Sequence, residues 1–155
     1  MSDLKIGDKA PDFSLPTDGG GTFKLSKDGK GKKVVLYFYP KDDTPGCTKQ
    51  AIGFSEIIGE FDKAGALVVG VSKDTPQKHD KFRDKHDLKV TLVSDEDGAL
   101  CEAYGVWQEK KNYGKTYMGI VRSTFLIDEK GKIAQIWPKV RVAGHVEAVL
   151  DAVKG

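Results

Sequence analysis

Val34-Val35-Leu36-Tyr37-Phe38-Tyr39 is an unbroken run of aliphatic and aromatic residues. A strand that is apolar toward both sides has to be covered on both, so the run predicts a central strand between two layers. Pro40 ends it, offering no N–H to a neighbouring strand. After the polar turn Lys41-Asp42-Asp43-Thr44-Pro45-Gly46, the residues Ala51, Phe54, Ile57, Ile58 and Phe61 recur at helical spacing up to Ala64-Gly65. That spacing predicts one amphipathic helix that starts near Thr44–Cys47 and stops at the glycine. Leu67-Val68-Val69-Gly70-Val71 is a second apolar strand, and strand, helix, strand is the βαβ unit of a parallel sheet.

The remaining pattern extends this layout. Phe13-Ser14-Leu15 and Thr22-Phe23-Lys24-Leu25 alternate around Thr17-Asp18-Gly19-Gly20-Gly21, which suits an antiparallel hairpin. The three glycines lack the spacing of a phosphate loop. Ser72-Lys73-Asp74-Thr75-Pro76 reads as a helix entry, followed by a polar surface helix of about a dozen residues in which only Phe82 and the following Leu88 are strongly apolar. Thr91–Ser94 reads as a strand, Gly98–Tyr104 as a short helix closed by Gly105, and Ser123–Asp128 with Lys132–Trp137 as a hairpin about Glu129-Lys130-Gly131. Val146, Val149, Leu150 and Val153 form the stripe of a terminal helix. The order predicts an α/β fold, a mixed sheet with helices on both faces, in one domain over 1–155.

The 155 residues carry 25 Lys+Arg against 23 Asp+Glu, well interspersed. Such a balance gives no footprint for nucleic acid or an anionic membrane, and the Lys30, Lys32, Lys33 group reads as a solvated turn. The longest apolar run falls far short of the roughly 20 residues that span a bilayer. Met1-Ser2-Asp3-Leu4-Lys5 has no apolar leader and two cysteines build no disulfide scaffold, so the expected compartment is the cytoplasm, with both thiols reduced.

One of those cysteines, Cys47, falls at the predicted helix start. The first turn of a helix has backbone N–H groups without partners, and together with the helix dipole they favour a negative sulfur over a neutral thiol. Thr44, three residues earlier, can cap the helix or aim its hydroxyl at the sulfur or at a bound oxygen. Cys101 lies in Ala99-Leu100-Cys101-Glu102-Ala103 and reads first as a small apolar residue on the inner face of a short helix. His79, His86 and His145 read as surface histidines without a metal-site pattern, and no metal or cofactor is expected. Asp42 and Asp43 read as solvating the loop before the helix and complementing its dipole.

Pro40-X-X-X-Thr44-X-X-Cys47 resembles the active-site signature of peroxiredoxins, and Tyr37–Thr48 looks most like the bacterioferritin comigratory protein, or peroxiredoxin Q, branch. The resemblance extends over Gly7–Phe13, Tyr104-Gly105-Val106-Trp107 and Arg122–Asp128. It implies a thioredoxin-like fold and a thiol-dependent peroxidase acting on hydrogen peroxide and organic hydroperoxides. Cys47 would be the nucleophile, Pro40 would shield it, and Arg122 would supply the guanidinium that holds the thiolate and polarises the peroxide. Many members of the branch carry a second cysteine five residues after the first, where this chain has Ile52. The sulfenic acid formed on Cys47 is therefore expected to be resolved by an external thiol: thioredoxin, glutaredoxin or glutathione. Cys101 is the alternative resolver. The branch is often monomeric, and residues from Val106 to Gly119 are expected to form one wall of the pocket. A non-catalytic binding or holdase domain is the competing reading; a thioredoxin-type disulfide oxidoreductase is a weak alternative, because Cys47-Thr48-Lys49-Gln50 lacks the second cysteine of Cys-X-X-Cys.

Overall fold

The computed structural model describes residues 4–155; residues 1–3, part of the segment read for a leader, lie outside the described residues. In chain order the elements are β1 (Ser14–Pro16), β2 (Thr22–Lys24), α1 (Leu25–Asp28), β3 (Lys33–Phe38), α2 (Pro45–Glu56), α3 (Ile58–Lys63), β4 (Ala66–Ser72), α4 (Pro76–His86), β5 (Thr91–Ser94), α5 (Ala99–Ala103), β6 (Trp107–Asn112), β7 (Lys115–Ile120), β8 (Ser123–Ile127), β9 (Ile133–Trp137) and α6 (His145–Lys154).

The expected central strand is central. The main sheet has five strands in the order β5-β4-β3-β8-β9. β3 runs parallel to β4 and antiparallel to β8, which makes the sheet mixed. Alternation along β3 splits the core: Val34, Leu36 and Phe38 join one apolar cluster, while Val35, Tyr37 and Tyr39 join the other. Successive side chains of a strand point to opposite faces, so these clusters are the two layers predicted from the run. All six residues are at most 1% exposed. Each buried side chain of this size is worth about 1.5–3 kcal/mol of transfer free energy.

Three parts of the layout differ from expectation. The single helix from Thr44 to Ala64 is two, interrupted at Ile57, whose φ of −117° and ψ of 24° leave the helical region. Adjacent β-branched Ile57 and Ile58 and glycines at 53 and 59 weaken helix propensity on both sides of the break. The strand from Thr22 stops at Lys24, because Leu25 turns into the short α1 with its amide donating to the Phe13 carbonyl. The 106–119 segment is largely a regular antiparallel hairpin, β6 with β7, paired from Trp107↔Ile120 to Asn112↔Lys115. Its strands are mostly polar and exposed, so neither has the apolar alternation that reveals a half-buried strand.

The predicted hairpins β1–β2 and β8–β9 are present, as are α5 and the terminal helix α6. Lys33 leaves the solvated turn, its Nζ donating to the Val153 carbonyl 2.6 Å away in the last turn of α6. Among the described residues no helix is long and apolar enough to cross a membrane.

Candidate active site

The geometry starts with the antiparallel pairing of β3 and β8. Phe38 pairs with Ser123, so the residue before β8, Arg122, arrives at the carboxyl end of β3 where the chain turns toward α2. Carboxyl ends of strands are where open α/β sheets present their ligand sites. Tyr39 makes the last backbone bond to β4, its N–H donating to the Val71 carbonyl at 3.0 Å, and Pro40 then breaks the ladder as expected.

Cys47 is the third residue of α2 and is 1% exposed. Arg122 meets it there: Nη2 donates to Cys47 Sγ at 3.3 Å, and Nη1 donates to Gln50 Oε1 at 2.6 Å. Gln50 lies one turn beyond Cys47 on the same face of the helix, fully buried, and anchors the guanidinium beside the sulfur. The Arg122 carbonyl is fixed in turn, accepting from the Val140 N–H at 2.8 Å. Gly46 makes this approach possible, because a Cβ at that position would stand 3.1 Å from Arg122 Nη2; Val142 is its apolar neighbour.

Thr44 occupies the N-cap position of α2, with its carbonyl accepting from the Thr48 N–H at 2.8 Å. Its hydroxyl does not cap the helix. It donates instead to the Lys41 carbonyl at 2.8 Å, closing the turn that precedes the cysteine. Pro40 is half-buried between Tyr39 and that turn.

The pair of aspartates departs from expectation. Asp42 is 8% exposed, with Oδ1 accepting from the Tyr39 hydroxyl at 2.6 Å and Oδ2 facing His79 Nδ1 at 2.6 Å. Its own N–H donates to Asp74 Oδ2 at 2.8 Å. Asp43 does stay exposed, with Lys85 and His86 on its two oxygens. Of the histidines read as surface groups, only His86 keeps partial exposure; His79 and His145 are buried. Burial of an imidazole is tolerated when its nitrogens find partners. His79 has two, and the Nε2 of His145 shares a hydrogen bond of 2.8 Å with the Thr124 hydroxyl. Burial, followed by the nearby Arg122 charge, pushes the His145 pKa down to about 4, which keeps that ring neutral.

Cys101 sits in the opposite layer. It is fully buried, its N–H donates to Asp95 Oδ2 at 2.8 Å, and burial with the Asp95 carboxylate pushes its thiol well above the ordinary range. Both cysteines are free thiols. Among the described residues no three His, Cys, Asp or Glu side chains gather as a metal site.

Gln50 and the Val140–Val142 segment were not among the residues singled out from sequence, and Asp42 and His79 were read there only as separate surface groups, not as a buried pair. Only Gln50 had a usable signal, a polar residue at the helical spacing that returns it to the face of Cys47.

Residues 6–136 match the model of the AhpC/TSA family. The chain belongs to that family. It is 51% identical over 151 residues to peroxiredoxin Bcp of Bacillus subtilis, covering 97% of this chain and 96% of the relative. Against peroxiredoxin Bcp of Escherichia coli the identity is 47% over 154 residues, covering 99% and 98%. A crystal structure of peroxiredoxin Q from Xylella fastidiosa, a cysteine-to-serine variant, superposes with a TM-score of 0.93 at 39% identity, covering 99% and 98%. The bacterioferritin comigratory protein of Xanthomonas campestris, in a trapped intermediate or ligand complex described for its alkyl peroxide reduction activity, gives 0.89 at 45%, also covering 99% and 98%. The fold is thus the thioredoxin-like peroxiredoxin fold. The activity is that of a peroxiredoxin, a thiol-dependent hydroperoxide reductase.

Proposed function

We propose that Cys47 is the peroxidatic nucleophile and that Arg122, Thr44 and Pro40 complete its site, in a chain that works as a single domain. The observation that carries this reading is the 3.3 Å contact from Arg122 Nη2 to Cys47 Sγ at the first turn of α2. There a guanidinium meets the sulfur at a helix N-terminus, the kind of surroundings in which reactive cysteines sit. The thiolate attacks one oxygen of ROOH as the O–O bond breaks; an S–O bond forms, and the departing RO⁻ takes a proton to leave as ROH. Sulfur is oxidised to the sulfenic acid and the peroxide is reduced. Arg122 donors stabilise charge as it moves from sulfur to the leaving oxygen. Hydrogen peroxide and alkyl hydroperoxides are the proposed substrates, the latter in line with the Xanthomonas relative.

A thiol then condenses with the sulfenic acid, releasing water and leaving a mixed disulfide; a second thiol frees Cys47 and departs as the disulfide. The proposed reductant is external, thioredoxin, glutaredoxin or glutathione, and the proposed setting is a monomer in the cytoplasm. Ile52 at the fifth position after Cys47 and the burial of Cys101 beyond the sheet both support an external resolver. The test is intact mass after one equivalent of peroxide without added thiol. Gain of oxygen on Cys47 is expected; quantitative loss of two hydrogens would point instead to a Cys47–Cys101 bridge. A binding or holdase domain predicts no peroxide consumption with any thiol donor.

A further inference from the structure

The loop that delivers Cys47 is held from one side by α4 and the chain leading into it. Asp42 donates its N–H to Asp74 and meets His79 Nδ1 through Oδ2, while Asp43, the loop's left-handed residue at φ 59°, is tied to Lys85 and His86. A non-glycine residue in that region costs of the order of 1 kcal/mol and persists only where its surroundings impose it. Every side-chain bond of these two aspartates outside the loop therefore ends on α4, and the one backbone bond ends on Asp74 just before it.

His79 is the buried centre of that attachment. Its Nε2 lies 3.0 Å from the Val93 carbonyl of β5, an oxygen that can only accept, so Nε2 carries a proton. Its Nδ1 faces Asp42 Oδ2 at 2.6 Å, and against an ionised carboxylate, which can only accept, Nδ1 carries one as well. With both nitrogens donating, the ring is an imidazolium. We propose that His79, as this imidazolium, is a positioning residue for peroxide reduction that fixes the Tyr39–Thr44 loop and through it Cys47.

The groups facing it from each packed element agree. The active-site loop contributes Asp42, the β4–α4 connection contributes Asp74 with the Ser72 hydroxyl on it, and β5 contributes the Val93 carbonyl. Among the described residues His79 is the cation paired with Asp42, and Asp74 has none of its own. Burial alone would lower the pKa of His79, but the hydrogen bond and charge of Asp42, then the Val93 carbonyl and Asp74, outweigh it and leave the value raised above 6.5. Loss of the proton at high pH turns one ring nitrogen into a lone pair aimed at an acceptor and leaves two buried carboxylates without a cation. On the side of His79 the attachment is thus intact at neutral pH and fails as pH rises through the raised pKa of that ring.

This inference rests on Cys47 being the reacting group, and two measurements keep the questions apart. Nitrogen-detected NMR of the imidazoles in the intact protein should show both His79 nitrogens protonated at pH 7. On titration to alkaline pH, the amide signals of Lys41, Asp42, Asp43 and Thr44 should move with the same midpoint, as should the single-turnover rate of Cys47 oxidation by hydrogen peroxide. His79→Gln, which can donate only through its amide, should lower that rate by about ten- to a hundredfold at pH 7 through misplacement of the loop and should lack the alkaline midpoint. A neutral His79 at pH 7, or a folded His79→Gln protein with the wild-type rate and pH profile, overturns the proposal. If that variant does not fold, the wild-type titration decides alone. Undiminished turnover in Cys47→Ser would instead overturn the assignment of the nucleophile.

Discussion

Cys47 and Cys101 lie on opposite faces of the five-stranded sheet, one in the layer with Val35, Tyr37 and Tyr39, the other in the layer with Val34, Leu36 and Phe38. A disulfide requires Cα atoms within about 7 Å, and the body of β3 stands between these two layers. Steady-state peroxide turnover with an external thiol should therefore survive Cys101→Ser and vanish in Cys47→Ser. Equal loss in both variants would mean that Cys101 takes part through a rearrangement of the sheet.

Arg122 reaches both Cys47 and Gln50 only because a guanidinium has two forward-facing N–H groups. Lysine keeps the charge but offers a single point donor. Arg122→Lys should lower kcat/KM for hydrogen peroxide by about a hundredfold, the usual scale for removing a preorganised donor from developing charge. A change below threefold would show that net charge alone suffices.

Gly46→Ala separates stability from activity at the same contact. The added methyl would come to 3.1 Å from Arg122 Nη2, so the guanidinium end must shift by a few tenths of an ångström, away from its bonds to Cys47 and Gln50. Alanine in place of glycine near the start of a helix otherwise stabilises by roughly 0.5–1 kcal/mol. The expected variant has an unchanged or raised urea midpoint and a peroxide rate lowered about tenfold by the displaced guanidinium. A lowered midpoint with normal rate would contradict this geometry.

The sheet was legible because the apolar run of β3 and the shorter run of β4 leave few alternatives for burial. The helix start at Thr44–Cys47 was legible from Pro40, Pro45 and Gly46 around it. The interruption at Ile57 was hidden, since both halves continue one apolar stripe and the break shows only in backbone angles. The β6–β7 hairpin was hidden for the opposite reason, being largely polar and mostly exposed outside its Trp107–Ile120 end, and so without an alternating burial pattern. Asp42 and His79 are 37 residues apart, and each alone looks like a surface group. What buries them is mutual satisfaction across the fold, which no local window contains.

Gly70 in β4 is a packing constraint that can be tested by stability alone. A Cβ there would stand 2.7 Å from Tyr37 Cζ and 2.8 Å from its Oη. That ring is 1% exposed and stacked between Tyr39 and Phe54, so it has nowhere to move. Gly70→Ala should destabilise by about 1–3 kcal/mol, the range for overpacking a filled core, measured as a fall in the urea midpoint. The double variant Gly70→Ala/Tyr37→Phe should recover part of the loss, because it removes the hydroxyl at 2.8 Å while retaining the ring.

His145 makes stability fall in acid. Its pKa is lowered to about 4 in the fold by burial and by Arg122, against roughly 6.5 in the unfolded chain. The unfolded state then binds the proton first, so the contribution of this group is whole above pH 6.5, shrinks as pH falls toward 4, and stays constant below that. The full effect is about 3 kcal/mol at 1.36 kcal/mol per pH unit. His79 has the opposite sign: its raised value makes its contribution whole below 6.5 and lost as pH climbs through the folded pKa. Urea unfolding from pH 4 to 7 should show a shallower acid slope in His145→Gln, which cannot titrate but can still bond to Thr124. Parallel slopes in the two proteins would mean that the ring is protonated in the fold as readily as in the unfolded chain.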